Sequence, residues 1–307
     1  MLKIQFYAQE KERRTSMFQG VFTALITPFT RDGKIDEQAL RKLVDFQIDK
    51  GIDGLVPVGT TGESPTLSPE ETERVIRTVV EQAKGRVPVI AGTGSNCTDK
   101  AIHMTEKAKA IGATASLQVA PYYNKPTAEG FYRHFTAIAD AVDLPMVVYN
   151  IPGRTGKNIE NPVMLRLAEH KNIVAVKEAS GSIAQMMDLI AKKPKRFNVL
   201  SGDDNMTFPL MALGGSGVVS VASNIVPDRM KELTQAALQG EWDRARRLHY
   251  ELLPLFKGIF LETNPIPIKA AMAMKDFVEE VYRLPMCPMS LENKKNLNEI
   301  LKQLKIL

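Results

Sequence analysis

The sequence predicts an α/β chain folded as a (β/α)8, or TIM, barrel with a C-terminal helical appendage. Three observations carry that expectation. Short apolar runs recur along the chain, each followed by a stretch of helical periodicity. Eight such pairs fit into about 220 residues, the length scale of this barrel. Past the eighth pair the chain continues through three more helical stretches with no break in composition. A chain of 307 residues that is 44% hydrophobic can bury a core of that size.

In order, VFTALITPF (21–29) precedes the helical stretch 36–50, which Gly51 closes. GLVPVGT (54–60) precedes 68–85, whose Ser68-Pro69-Glu70-Glu71 start reads as a capping box with proline at the first helical position. VPVIAGT (87–93) precedes 98–111, closed by Gly112. ASLQVAP (115–121) precedes 128–142, and PMVVYNI (145–151) precedes 161–170. IVAVKEA (173–179) precedes 182–192, NVLSG (198–202) precedes 205–213, and GVVSVAS (217–223) precedes 228–239. These helices supply the crossovers that parallel strands require. A doubly wound sheet is the rival, but it usually carries a glycine-rich nucleotide turn after its first strand. Here that position reads TPFTRDGK, and GTGSN (92–96) is half such a turn after the third strand. Helical stretches at 241–259, 265–277 and 290–307 follow. The expected organisation is an N-terminal extension over 1–16, the barrel over 17–239 and a C-terminal helical region over 240–307.

The totals exclude several classes. The net charge is +5, and Lys3, Lys11, Arg13 and Arg14 against Glu10 and Glu12 leave the rest of the chain at only +3. The basic runs KKPKR and ENKKN are short and lack aromatic interleaving, so they read as solvated faces and not as a nucleic-acid site. Cys97 and Cys287 stand alone, and the four histidines are scattered, so neither a disulfide framework nor a metal site follows. That cysteine usage suits a reducing, cytoplasmic setting. No apolar run approaches the ~18 residues of a membrane span. The first sixteen residues lack the apolar centre of a secretory signal and read as a loose extension.

Chemistry in this fold gathers at the C-terminal strand ends. There the sequence places Thr60, Thr61, Gly62 and Glu63, then Tyr122 and Tyr123, then Tyr149, Asn150 and Arg154. Lys177 and Glu178 end the sixth strand, and Ser201, Gly202, Asp203 and Asp204 the seventh. Lys177 directly follows the apolar run Ile173–Val176, where an ammonium is costly to desolvate. Its bland alternative is a stem that snorkels to water. In company with phenols, hydroxyls and a guanidinium, a second reading is stronger. Desolvation lowers the pKa of the amine, and a neutral amine forms a Schiff base with a carbonyl carbon. A phenol relayed through a hydroxyl can move the protons, and Arg154 offers a fork for a carboxylate. The constellation points to class I aldolase-type chemistry on a keto acid. Asp203 and Asp204 would oppose a phosphate in the usual phosphate region of this fold, which favours an unphosphorylated substrate.

The segments GTTGES, AGTGSN, PYYNKP, VVYNIPGRTG, VAVKEASG, LSGDD and ETNPIPIKAA, in this order from about Met17 onward, resemble the dihydrodipicolinate synthase family of pyruvate-dependent lyases. The double threonine, double tyrosine and YNIPGRT together mark the synthase branch. The resemblance implies condensation of pyruvate with L-aspartate 4-semialdehyde, in lysine and diaminopimelate biosynthesis, with no metal or organic cofactor. It implies that Lys177 forms the imine, that Tyr149 is the proton donor and acceptor, and that Thr60 bridges Tyr149 and Tyr123. Tyr123 would reach into a neighbouring subunit's site, in a homo-oligomer that is commonly a dimer of dimers. Thr61 would hold the pyruvate carboxylate and Arg154 that of the semialdehyde, with Gly202 and Val219 lining the pocket.

Two alternatives stand beside it: a related lyase acting on a sugar acid or 4-hydroxy-2-oxo acid, and a barrel that binds a ligand without chemistry. In lysine-inhibited members of the family the end product binds an interface pocket. Here Ser64, Asn96 and Tyr122 match it, but Pro69 and Thr72 replace its histidines and Lys100 its glutamate. A like charge at Lys100 disfavours bound lysine, so the resemblance implies insensitivity to it.

Overall fold

The structure is a computed structural model that describes residues 17–307, so the expected extension over 1–16 lies outside the described residues. Eight parallel strands form the barrel: β1 Gly20–Ala24, β2 Gly54–Val56, β3 Ile90–Gly92, β4 Ala115–Val119, β5 Met146–Asn150, β6 Ile173–Glu178, β7 Asn198–Ser201 and β8 Gly217–Ser220. Their order is β2-β1-β8-β7-β6-β5-β4-β3. The ring closes between β2 and β3 through a single parallel bridge, Leu55 to Val89. The Leu55 amide donates to the Pro88 carbonyl at 3.0 Å and the Gly92 amide to the Pro57 carbonyl at 3.0 Å.

Several strands are shorter than their apolar runs. Pro57 and Pro88 lie inside the second and third runs and have no N–H to give the ladder, so β2 and β3 keep three residues each. After β1 the Leu25 amide still reaches the Val56 carbonyl at 3.1 Å, but the Ile26 amide turns to the Asn224 side chain at 3.1 Å. The remainder of the first run is irregular, up to the antiparallel bridge between Phe29 and Ile35.

Strand alternation separates two cores. Phe22, Ala24, Val56, Ile90, Leu117, Val147, Tyr149, Ala175, Leu200 and Val219 pack together inside the barrel. Val148, Val176 and Val199, of the opposite parity, pack with Phe131, Phe135 and Leu167 of the covering helices. The helix signals are realised as read. The Ser68 hydroxyl accepts from the Glu71 amide, the Glu71 carboxylate accepts from the Ser68 amide, and Pro69 is the first helical residue. Gly112 caps its helix at a φ of 100°, and Gly51 follows the Lys50 cap at 82°.

The C-terminal helices are Trp242–Gly258, Ile266–Met274 and Leu291–Gln303. Leu252, Leu255, Ile268, Leu297 and Leu301 share one apolar cluster with Val21, Leu25, Leu40 and Leu55, so these helices pack into the core around β1 and β2. Among the described residues no helix is long and apolar enough to cross a membrane.

The seam between β1 and β8 requires glycine on both sides. Gly20 and Gly217 are direct partners, and Gly217 has a φ of 147°. A Cβ at Gly217 would lie 1.9 Å from the Gly20 carbonyl oxygen. Gly217→Ala is therefore expected to destabilise the fold by about 3 kcal/mol, combining overpacking against backbone with an unfavourable φ. Urea unfolding measures this as a lowered midpoint at constant slope. A midpoint equal to the parent's would show that the seam tolerates a side chain.

Candidate active site

Lys177 belongs to the parity of β6 that faces the barrel interior, two residues after Ala175. It pairs in register with Tyr149 on β5 and Leu200 on β7. Only 5% of the residue is exposed, so the stem does not snorkel to water. Its Nζ lies 4.1 Å from the centroid of the Tyr149 ring. Burial pulls the ammonium down to about 8, with Asp203 and Asp204 opposing and Arg154 assisting. At that value roughly a tenth of the amine is neutral at pH 7, against under a thousandth for an ordinary lysine. Glu178 lies on the opposite face of the strand. Its carboxylate accepts from Asn150 Nδ2 at 3.1 Å and the Ser180 amide at 2.7 Å, away from the interior.

Tyr149 is buried beside the lysine. Burial, and next the charge of Asp203, push its phenol well above the ordinary value; Arg154 and a hydrogen bond with Thr60 act the other way. The phenol is therefore neutral, and Thr60 is among the groups that act on it. Thr60 sits in the turn after β2, which is tightly folded. Val58 and Glu63 bracket it with φ of 57° and 54°, a left-handed conformation that costs about 1–3 kcal/mol per non-glycine residue. The Glu63 amide donates to the Thr60 carbonyl at 3.1 Å, and the Thr27 hydroxyl to the Gly62 carbonyl at 2.7 Å. Gly92 lets β3 approach this turn, since a Cβ there would lie 2.0 Å from the Val58 carbonyl oxygen.

Thr61 is buried, and its hydroxyl accepts from Asn264 Nδ2 at 3.0 Å. Arg154 sits on a four-residue helix, Pro152–Thr155, that the strand-helix reading did not anticipate. Its Nη2 donates to the Asn264 carbonyl at 3.0 Å. Asn264 thus ties both expected carboxylate holders together. Sequence reading assigned it no role, because it comes from the C-terminal region and not from a strand end. The NPIP segment that contains it was the available signal.

Gly202 keeps space beside the amine: a Cβ there would lie 2.6 Å from Ala179 Cβ and 3.3 Å from Lys177 Cε. Val219 is fully buried in the interior cluster with Tyr149. Burial raises the Asp203 carboxyl, while Lys177 and Arg154 lower it. Asp204 is committed to the backbone, accepting from Ser220 Oγ at 2.5 Å and from the Val221 and Ala222 amides at 3.0 and 2.9 Å.

Tyr123 is the expected residue that this chain does not bring to its own Lys177. It is 90% exposed and carries a φ of 70°. Tyr122 lines a cavity of about 470 Å³ together with Thr60, Tyr149 and Arg154. Ser64, Pro69, Thr72 and Lys100 line the same cavity. Asn96 Nδ2 donates to the Tyr122 carbonyl at 3.2 Å at its edge.

Residues 17–304 match the model of the dihydrodipicolinate synthetase family. The chain is 52% identical over 291 residues to a 4-hydroxy-tetrahydrodipicolinate synthase of Trichlorobacter lovleyi, covering 95% of this chain and 100% of that one. Its structure is similar to that of dihydrodipicolinate synthase from Aquifex aeolicus, with a TM-score of 0.93 and 49% identity over 94% of this chain and 99% of that one. It is also similar to the chloride-inhibited dihydrodipicolinate synthase from Acinetobacter baumannii complexed with pyruvate, with a TM-score of 0.93 and 42% identity over 94% and 99% of the two chains.

Lys177 costs stability where it is protonated. Its folded value, about 8, lies below the ordinary 10.5, so between these limits the unfolded chain holds more protons and stability rises with pH. Lys177→Met is expected to stabilise the fold at pH 7 by about 2–3 kcal/mol, an advantage that shrinks as pH rises from 8 to above 10. Denaturant unfolding across that range checks it. Equal stability of parent and variant at pH 7 would mean that the amine is not desolvated.

Proposed function

The chain belongs to the dihydrodipicolinate synthetase family, and from that premise we propose that it catalyses the reaction for which its relatives are named, as a class I aldolase-type lyase. The substrates are pyruvate and L-aspartate 4-semialdehyde. The observation that carries this reading is the buried amine of Lys177, held at about 8 and facing the Tyr149 ring at 4.1 Å. The relatives' names do not favour the sugar-acid or the ligand-binding alternative.

In the proposed sequence the neutral Lys177 amine attacks the keto carbon of pyruvate to form a carbinolamine. Tyr149 donates a proton to the departing hydroxyl, water leaves, and the imine remains. Loss of a methyl proton converts the imine to an enamine. The enamine carbon attacks the aldehyde carbon of the semialdehyde, whose oxygen takes up a proton. The semialdehyde amino group then attacks the imine carbon and releases Lys177 as the ring closes. The Thr61 hydroxyl holds the pyruvate carboxylate, and the Arg154 fork holds that of the second substrate. Gly202 leaves room beside the imine, and Val219 walls it.

The raised phenol value of Tyr149 makes it a reluctant source of protons unless they are replaced. Thr60 lines the same cavity and passes protons from Tyr123 of an adjacent copy. An exposed tyrosine with a left-handed backbone supports that assignment, because the strained loop then places a phenol outward where a second chain can receive it. The assembly we infer is a homo-oligomer, a dimer of dimers, in the cytoplasm. Both cysteines are free, as suits that compartment.

Cyanoborohydride with pyruvate is expected to leave a reduced adduct on Lys177, read by peptide mass analysis. The rate of trapping should rise with pH and level off above about 8, as the amine loses its proton. No adduct, or one on another lysine, would end the Schiff-base reading.

Ser64, Tyr122, Pro69, Thr72 and Lys100 all line the cavity. That arrangement supports the inference that no carboxylate there receives the ammonium of a bound lysine, while Lys100 repels it. The enzyme is expected to keep its rate when L-lysine is titrated to millimolar concentration. Strong inhibition would sink this reading of the pocket.

A further inference from the structure

Glu63 and Lys269 have no part in the mechanism above, yet they form an ion pair with side chains only 1% and 0% exposed, Nζ to Oε1 at 2.5 Å. Lys269 Nζ lies 4.0 Å from the centroid of the Phe29 ring, and the Arg283 guanidinium lies 4.4 Å from the same centroid. The second Glu63 oxygen accepts from the Arg283 amide at 3.2 Å. The Arg283 side chain in turn forks Glu71 with two bonds of 2.6 Å and donates to the Gly33 and Thr66 carbonyls. Burial pulls the Lys269 amine down to about 8, against the opposing charge of Glu63.

Stability alone does not account for such a pair. Desolvation offsets much of the attraction between buried charges, and an apolar pair of similar volume often serves the fold as well or better. What an ion pair adds is direction. Glu63 ends the turn that presents Thr60 and Thr61, its backbone is left-handed, and its amide bonds the Thr60 carbonyl at 3.1 Å. Lys269 lies on the helix Ile266–Met274, five residues beyond Asn264, whose side chain holds the Thr61 hydroxyl. The C-terminal region therefore grips this turn at two points, by the Asn264 amide and by the Lys269 ammonium.

We propose that Glu63 and Lys269 are positioning residues for the reaction: their buried pair fixes the turn after β2 so that the Thr60 hydroxyl meets the Tyr149 phenol. The proposal rests on the Schiff-base reading of Lys177. Misplacing a proton carrier by an ångström costs up to about a hundredfold in rate, so loss of the pair is expected to slow proton transfer while sparing the amine.

The test uses the full chain with pyruvate alone and two readouts. Reductive trapping reports Lys177, and exchange of the pyruvate methyl protons in D2O, followed by NMR, reports proton transfer at the imine. Glu63→Gln combined with Lys269→Met removes both charges and leaves no uncompensated ion. This double variant is expected to keep the parent's melting temperature and Lys177 adduct while methyl exchange slows by about tenfold or more. Unchanged exchange in the folded variant overturns the proposal. Should the double variant not fold, Lys269→Arg, which keeps the charge but displaces the carboxylate, must show the same slowing with its melting transition retained. Unchanged exchange there, or failure of both variants to fold, makes the pair structural only and equally overturns the proposal. Absence of an adduct in the parent chain is a separate failure, that of the Schiff-base reading itself.

Discussion

Desolvation of one amine is the constraint on which the rest of this structure depends. An ammonium inside an apolar barrel is unfavourable, and the fold accepts it because strand parity leaves no other place for the side chain of Lys177. The same burial holds the amine near 8 and raises the phenol of Tyr149. The two groups thus move apart in proton affinity, so the phenol keeps its proton while the amine gives its own up more readily. Asp203 and Arg154 act on both with opposite sign, and Asp204 acts with Asp203 on the amine.

The groups that surround the amine are supplied by unlike kinds of structure. Tyr149 and Lys177 stand on neighbouring strands, whose register holds them within a rigid ladder. Thr60 and Thr61 stand on a turn with two left-handed non-glycine residues, a costly conformation that its surroundings must maintain. The C-terminal helical region adds support, through Asn264 on Thr61 and Arg154 and through Lys269 on Glu63. This gives the segment beyond the eighth strand a place in the site as well as in the core.

Tyr123 marks the outer limit of what one chain provides. Its backbone is strained and its ring is nearly fully exposed, an arrangement with no packing return inside a single copy. The cavity lined by Thr60 and Tyr149 is lined also by Tyr122, the neighbour of Tyr123 in the chain. Any chain seated over Tyr123 therefore lies close to the mouth.

The eightfold repeat and its parallel strands were legible in the sequence, because apolar period and crossover length are local properties. So were the capping box at Ser68 and the set of residues at the strand ends. Strand lengths were not: Pro57, Pro88 and the Asn224 side chain decide which amides join the ladder, and Asn224 acts from 198 positions away along the chain. Nor did the sequence single out Asn264, Lys269 or the short helix that carries Arg154. Lys269 in particular reads as one more helical lysine, with its partner Glu63 lying 206 residues earlier. Local pattern determines where the strands, the helices and the strand ends fall. Only tertiary packing decides which distant side chains are brought close enough to hold the turn, since those contacts have no period along the chain.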